Sequence, residues 1–163
     1  MLAVAIYTSK IQQQMSYKIE QIHEIVDTQI DSRFFCKEID SSYLLTVAGK
    51  KYLINYEFDV REDIPDEVIC INNWTYIALI SVTTGEIVYL SGLRTSFVGI
   101  TALQRDIIII CDTELFLVNR KNYFPWLFKF FTDDIIDYEV IDEKNILIVT
   151  ATEGEKTINV YKD

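Results

Sequence analysis

The chain has 163 residues, half of them apolar and 13% aromatic, with 25 acidic side chains against 15 basic ones and a formal charge of −10. A chain of this size buries roughly 70% of the surface its unfolded form would expose, so a single domain over 1–163 with its own core is expected and disorder is excluded. The negative charge repels a nucleic-acid backbone at long range, which excludes nucleic acid as an expected partner and leaves a protein, a basic one first.

At the N-terminus the apolar run Leu2 to Tyr7 is short and has no Lys or Arg before it, so no signal peptide is expected. No window reaches the roughly 18 to 20 continuous apolar residues of a spanning helix, so no membrane segment and a cytoplasmic location are expected. From Lys10 to Ile30 the apolar residues Ile11, Met15, Ile19, Ile22, Val26 and Ile30 recur every three or four positions. That spacing predicts a helix over 10–28. Tyr17, Ile19, His23 and Ile25 also fit a looser alternation, so an edge strand over Met15 to Asp27 is the competing reading.

Beyond Ile30 the chain repeats. The anchors Ile30, Ile64, Val98 and Ile135 are spaced by 34, 34 and 37 residues, and each opens the same succession of short apolar runs. In the first unit these are Arg33 to Lys37, Tyr43 to Ala48 and Tyr52 to Phe58; in the second, Glu67 to Ile71, Thr75 to Val82 and Ile87 to Leu90. The third has Asp106 to Cys111, Glu114 to Val118 and Phe124 to Phe131, and the fourth Tyr138 to Ile141, Ile146 to Thr152 and Thr157 to Tyr161. The expected fold is therefore all-β or mainly β, with about four antiparallel three-stranded repeats. Gly49, Gly85 and Gly154 fall at the matching turn of three units, where a residue free to take positive φ closes a hairpin at least steric cost. The central runs, such as Tyr76-Ile77-Ala78-Leu79-Ile80 and Leu115-Phe116-Leu117-Val118, are nearly continuous in apolar residues, as expected of strands buried on both faces.

The turn and strand Thr84-Gly85-Glu86-Ile87-Val88-Tyr89 resembles those of β-propeller blades of the quinoprotein and WD types, and the resemblance extends over residues 30–163. It implies strands running outward in successive blades. No Trp-Asp pair occurs, and the resemblance carries no cofactor motif and no binding residue onto this chain. A curved sheet or sandwich built from the same units is the alternative arrangement.

The residue inventory offers little for catalysis. Cys36, Cys70 and Cys111 lie 34 and 41 residues apart inside or beside apolar runs, the signature of reduced core thiols rather than of metal or redox chemistry. His23 is the single histidine, so a histidine-centred relay or a His-rich metal site lacks its second member. Neither a phosphate-binding glycine loop nor a nucleophile elbow is present. Acidic side chains cluster at Glu57 to Glu67 and again at Asp133, Asp134, Asp137, Glu139, Asp142 and Glu143. Both clusters sit at junctions between units, where Asp supports turns. Paired carboxylates nevertheless keep open a hydrolase or a calcium-dependent carbohydrate-binding domain.

The most unusual window is Tyr123-Phe124-Pro125-Trp126-Leu127-Phe128-Lys129-Phe130-Phe131. Pro125 has no amide donor and predicts an edge strand. If one face of that strand is left uncovered, Tyr123, Phe124 and Trp126, together with Trp74, are the expected partner-binding residues, because aromatic side chains dominate interface hot spots. The function expected is thus a non-enzymatic protein-binding module without a cofactor or metal, such as an acidic inhibitor or immunity-type protein. A structural subunit that completes a propeller by homo-oligomerisation is a further reading.

Overall fold

The computed structural model describes residues 17–22, 30–34, 42–55, 58–61, 64 and 68–162, and all its regular elements are strands. They form four sheets. Sheet 1 contains β1 (Tyr17–Ile22), β2 (Ser32–Phe34), β3 (Ser42–Val47) and β4 (Lys50–Asn55), in the spatial order β1-β3-β4-β2. Sheet 2 is the meander β5 (Asp59–Arg61), β6 (Val68–Asn72), β7 (Tyr76–Ser81) and β8 (Ile87–Gly92). Sheet 3 repeats it with β9 (Phe97–Ala102), β10 (Asp106–Cys111), β11 (Glu114–Asn119) and β12 (Pro125–Phe130). Sheet 4 has β13 (Ile135–Val140), β14 (Asn145–Thr150) and β15 (Gly154–Asn159). Every pairing is antiparallel except that of β2 with β4.

The repeats read from the sequence are thus the sheets of the structure, with two corrections. Three of the four sheets have a fourth strand. In sheets 2 and 3 it comes from segments too weakly patterned to be read as strands: β5 is a three-residue Asp-Val-Arg, and β9 is interrupted by Gly99. The second correction concerns the helix expected over 10–28. Its described part, Tyr17–Ile22, is β1, paired in register with β3 from Tyr17↔Val47 to Ile22↔Ser42. The edge of β3 would otherwise present a row of unmet backbone donors and acceptors, and satisfying them outweighs a periodicity worth a few tenths of a kcal/mol per residue. His23 and the rest of 10–28 lie outside the described residues, as do Cys36 and most of the Glu57 to Glu67 cluster.

The sheets stack face to face through three apolar layers. Leu45, Val47, Tyr52 and Ile54 of sheet 1 meet Ile69, Ile71, Ala78 and Ile80 of sheet 2. The opposite face of sheet 2, with Cys70, Ile77 and Leu79, meets Ile100, Ile107, Ile109, Cys111 and Phe116 of sheet 3. Ile108, Ile110, Leu115 and Leu117 of sheet 3 then meet Ile135, Ile146 and Ile148 of sheet 4. Because side chains alternate across a strand, one uninterrupted run such as Ile107-Ile108-Ile109-Ile110 feeds two layers at once. Burial raises the Cys111 thiol pKa to about 12, so it remains a protonated core group.

The first strands of sheets 2, 3 and 4 lie side by side. The Arg61 guanidinium of β5 stands over the Phe97 ring of β9, and the Tyr138 hydroxyl of β13 donates to the Ile100 carbonyl of β9 at 2.9 Å. Gly99 makes room for the Tyr138 ring, which a Cβ there would strike. At the other end of the meander, β8 and β12 are free edges among the described residues. Of the three turn glycines, Gly49, Gly85 and Gly154 all have positive φ, as their sequence positions predict. Gly85 is the most constrained, since a Cβ would collide with the Val47 carbonyl of sheet 1 and the Tyr52 hydroxyl donates to its own carbonyl.

Candidate functional site

The meander sends alternate turns to opposite rims of sheets 3 and 4. One rim carries the β9–β10, β11–β12 and β13–β14 turns and the segment after β15, tied by Arg120 N–H to the Arg105 carbonyl (3.1 Å) and Val160 N–H to the Lys144 carbonyl (2.8 Å). We call it the upper rim. The lower rim carries the β6–β7, β8–β9, β10–β11, β12–β13 and β14–β15 connections, tied in the same way by Leu93 N–H to the Thr75 carbonyl (2.7 Å) and Ala151 N–H to the Asp134 carbonyl (2.9 Å).

This places the four aromatic residues singled out in the sequence. Trp74 stands 71% exposed in the β6–β7 turn on the lower rim. Tyr123, Phe124 and Trp126 are together at the upper end of β12, remote from Trp74. Tyr123 has φ +55 and packs against the layer between sheets 2 and 3, so it supports the turn from beneath. Phe124 is 65% exposed and Trp126 42%.

The edge strand expected from Pro125 is β12, and its alternation is visible in burial: Phe124, Trp126, Phe128 and Phe130 are exposed, while Leu127 and Phe131 pack inward. Phe128, 52% exposed, pairs with Phe116 and stacks on it at 5.6 Å between centroids; Phe130, 65% exposed, pairs with Glu114. A register shift between Leu117 and Val118 separates Trp126 from this ladder. Such a bulge re-aims a side chain. Trp126 stacks on Tyr161 of the segment after β15, centroids 6.1 Å apart and planes within 10°.

Beneath that pair is Asp106, fully buried at the start of β10. Its carboxylate accepts from Trp126 Nε1 at 2.8 Å, from the Tyr161 hydroxyl at 3.0 Å and from Arg105 Nε at 3.1 Å. A buried charge is tolerated only when its lone pairs are met in this way. Burial, and then the hydrogen bond to Asp106, push the Tyr161 phenol up to about 12. Arg105 lies over both rings, at 5.3 Å from Trp126 and 4.8 Å from Tyr161. Sequence reasoning singled out Trp126 but missed Arg105, Asp106 and Tyr161; an acid opening an otherwise apolar strand, Asp106 before four isoleucines, was the available signal.

Two carboxylates of the β12–β15 region, Asp133 and Asp142, serve turns. Asp133 Oδ2 accepts from Thr152 N–H and Glu153 N–H, both at 2.9 Å, and these two bonds hold its pKa well below the usual carboxylate range. Asp142 Oδ1 accepts from Lys144 N–H (2.8 Å) and Asn145 N–H (2.9 Å), and its pKa is lowered by its bonds to Asn145 and Lys144. Among the described residues no three Asp, Glu, His or Cys side chains are grouped closely enough to hold one cation.

No family model matches the chain, and no curated protein matches it in sequence. Its likeness is to solved β-propellers. The β-propeller domain of Cps50 (Swd1) from Myceliophthora thermophila superposes with a TM-score of 0.55 at 8% identity over 65% of this chain. The dihydro-heme d1 dehydrogenase NirN does so at 0.54 and 14% over 75%, and BamB from Moraxella catarrhalis at 0.51 and 11% over 74%. The chain has a β-propeller-type fold. It spans 36%, 31% and 43% of the length of those three proteins. At these identities the likeness concerns architecture, which a dehydrogenase shares with the other two.

Proposed function

We propose that this chain is a non-enzymatic protein-interaction module that meets its partner through the outer edge of sheet 3. The observation that carries this reading is four exposed rings along β12, Phe128 and Phe130 on one side of its register shift and Phe124 and Trp126 on the other, on a strand whose outer backbone edge is unpaired among the described residues. Exposed aromatic rings concentrated along one free strand are the kind of apolar surface that marks partner sites. An open strand edge adds backbone donors and acceptors with which an extended segment can pair. Asp133 and Asp142 are engaged in turns, and Asp106 is sealed beneath Trp126 and Tyr161.

The test is affinity capture with the wild-type chain beside a Phe128→Ser/Phe130→Ser double variant of equal melting temperature. Proteins held by the wild type and lost from the variant support the reading; identical captures, or none, refute it. Sedimentation equilibrium of both chains shows whether the partner is a second copy, since the mass of a homo-oligomer is a multiple of 19.0 kDa.

A further inference from the structure

Although the chain is strongly acidic, its charges are segregated by rim. The upper rim of sheets 3 and 4 carries Arg105, Arg120, Lys121, Lys144 and Lys162 against the exposed acids Asp142 and Glu143. The lower rim of the same sheets carries Asp112, Asp133, Asp134 and Glu153 against Arg94. Net charge alone points to a basic partner, but the aromatic end of β12 lies on the basic rim.

At that end a cleft of about 320 Å³ is lined by Arg105, Asn119, Asn122, Phe124 and Trp126. Its strongest polar groups are donors. Arg105 is held by Nε on buried Asp106 and by the two rings it covers, and its two terminal nitrogens have no acceptor among the described residues. Asn119 Oδ1 accepts from Lys121 N–H (2.9 Å) and Asn122 Oδ1 from Phe124 N–H (3.0 Å). These turn bonds orient the amide oxygens toward the backbone and leave the Nδ2 groups of both side chains as donors. Among the described residues no carboxylate lines the cleft, and Phe124 and Trp126 supply apolar walls. A cation would be repelled by the Arg105 guanidinium. A planar carboxylate matches the guanidinium fork and gains shorter, charge-assisted bonds.

We propose that this cleft binds a side-chain carboxylate of an acidic peptide segment, with Arg105 and Asn122 as donors and Phe124 and Trp126 packing on the neighbouring apolar residue. The proposal rests on the partner-binding reading above and names the partner's chemistry. The overall negative charge opposes it only weakly, because at physiological ionic strength charges farther than about 8 Å are largely screened while those in contact are not. Fixing the guanidinium in advance lowers the ordering cost of binding.

The test uses the full chain and fluorescein-labelled peptides of alternating leucine and glutamate, with glutamine, lysine or phosphoserine replacing glutamate in matched controls. Fluorescence polarisation is expected to favour the glutamate peptide over its glutamine counterpart by about tenfold, as hydrogen bonds to charged groups allow. Asn122→Asp keeps the turn-forming oxygen but places a carboxylate in the cleft; it is expected to weaken that binding about tenfold with an unchanged melting temperature. Arg105→Ala should abolish it. Equal binding of the glutamine peptide, preference for lysine or phosphoserine, or indifference to Asn122→Asp overturns the proposal. If Asn122→Asp leaves a captured partner bound while Phe128→Ser/Phe130→Ser releases it, the carboxylate assignment falls and the interaction reading stands; if neither variant changes capture, both fall.

Discussion

Strands β10 and β14 are written alike and buried differently. The first reads Asp-Ile-Ile-Ile-Ile-Cys and the second Asn-Ile-Leu-Ile-Val-Thr, each a nearly unbroken apolar run. Yet all of β10 is buried, whereas β14 alternates, with Ile146, Ile148 and Thr150 inside and Asn145, Leu147 and Val149 half-exposed. Sheet 3 has a neighbour on each face; among the described residues sheet 4 has one, on the Ile146 and Ile148 side. A run of apolar residues thus states that both faces can be covered, while the number of packed neighbours decides whether they are.

The sharpest way to break this comparison is a matched pair of truncations. Ile109→Ala opens a cavity between sheets 2 and 3 and is expected to cost about 3–4 kcal/mol, while Leu147→Ala on the uncovered face costs under about 1 kcal/mol. Urea unfolding of both variants measures the difference, and equal losses would show that the outer face of sheet 4 is packed in solution. A second pair separates backbone strain from crowding. Gly85→Ala meets both positive φ and the Val47 carbonyl and is expected to lose about 2–3 kcal/mol. Gly154→Ala, with similar φ but nothing within 4 Å, should lose only about 1 kcal/mol.

Smaller effects sharpen the contrast between the sealed Asp106 cluster and the open edge beside it. Trp126→Phe leaves the ring but strips one donor from a buried carboxylate, an expected loss of about 1–2 kcal/mol, whereas Phe130→Ser on the same strand should be nearly neutral. Tyr161→Phe is expected to cost about 1 kcal/mol at neutral pH and to change the alkaline limb. The Tyr161 phenol ionises at about 12 when folded, above the roughly 10 of an unfolded tyrosine, so its contribution is complete below about pH 10 and is lost as pH rises through about 12. Melting temperatures across that window, with absorbance of phenolate in both chains, read the effect directly. Smallest is Asp133→Asn. Because the folded pKa is depressed, the carboxylate stabilises above about pH 4 and ceases to as pH falls; the variant should melt slightly lower at pH 7 and show a flatter acid limb.

Much of this was legible in the chain itself. Repeats near 34 residues, strands at 76–81, 106–111 and 114–119, and positive φ at Gly49, Gly85 and Gly154 follow from apolar runs punctuated by turn residues, all local signals. Pro125 announced an edge for the equally local reason that it lacks a donor. The misses were non-local. Strand β1 exists because β3 offers an edge, β5 is too short to carry a pattern, and β9 is broken by a glycine that serves Tyr138, 39 residues away. The Asp106 cluster joins residues from β10, β12 and the segment after β15, and no spacing in the sequence encodes that meeting.

The amino-acid sequence by itself determined that this protein would be a succession of short antiparallel strands with an aromatic edge, since hydrophobic alternation, turn chemistry and a missing proline amide act over a few residues. Tertiary structure alone decided which faces are covered, which rim is basic, and that Trp126 turns away from Phe128 to cap a buried carboxylate. Those outcomes depend on stacking one sheet against another, and the energy of that stacking belongs to pairs of residues tens of positions apart.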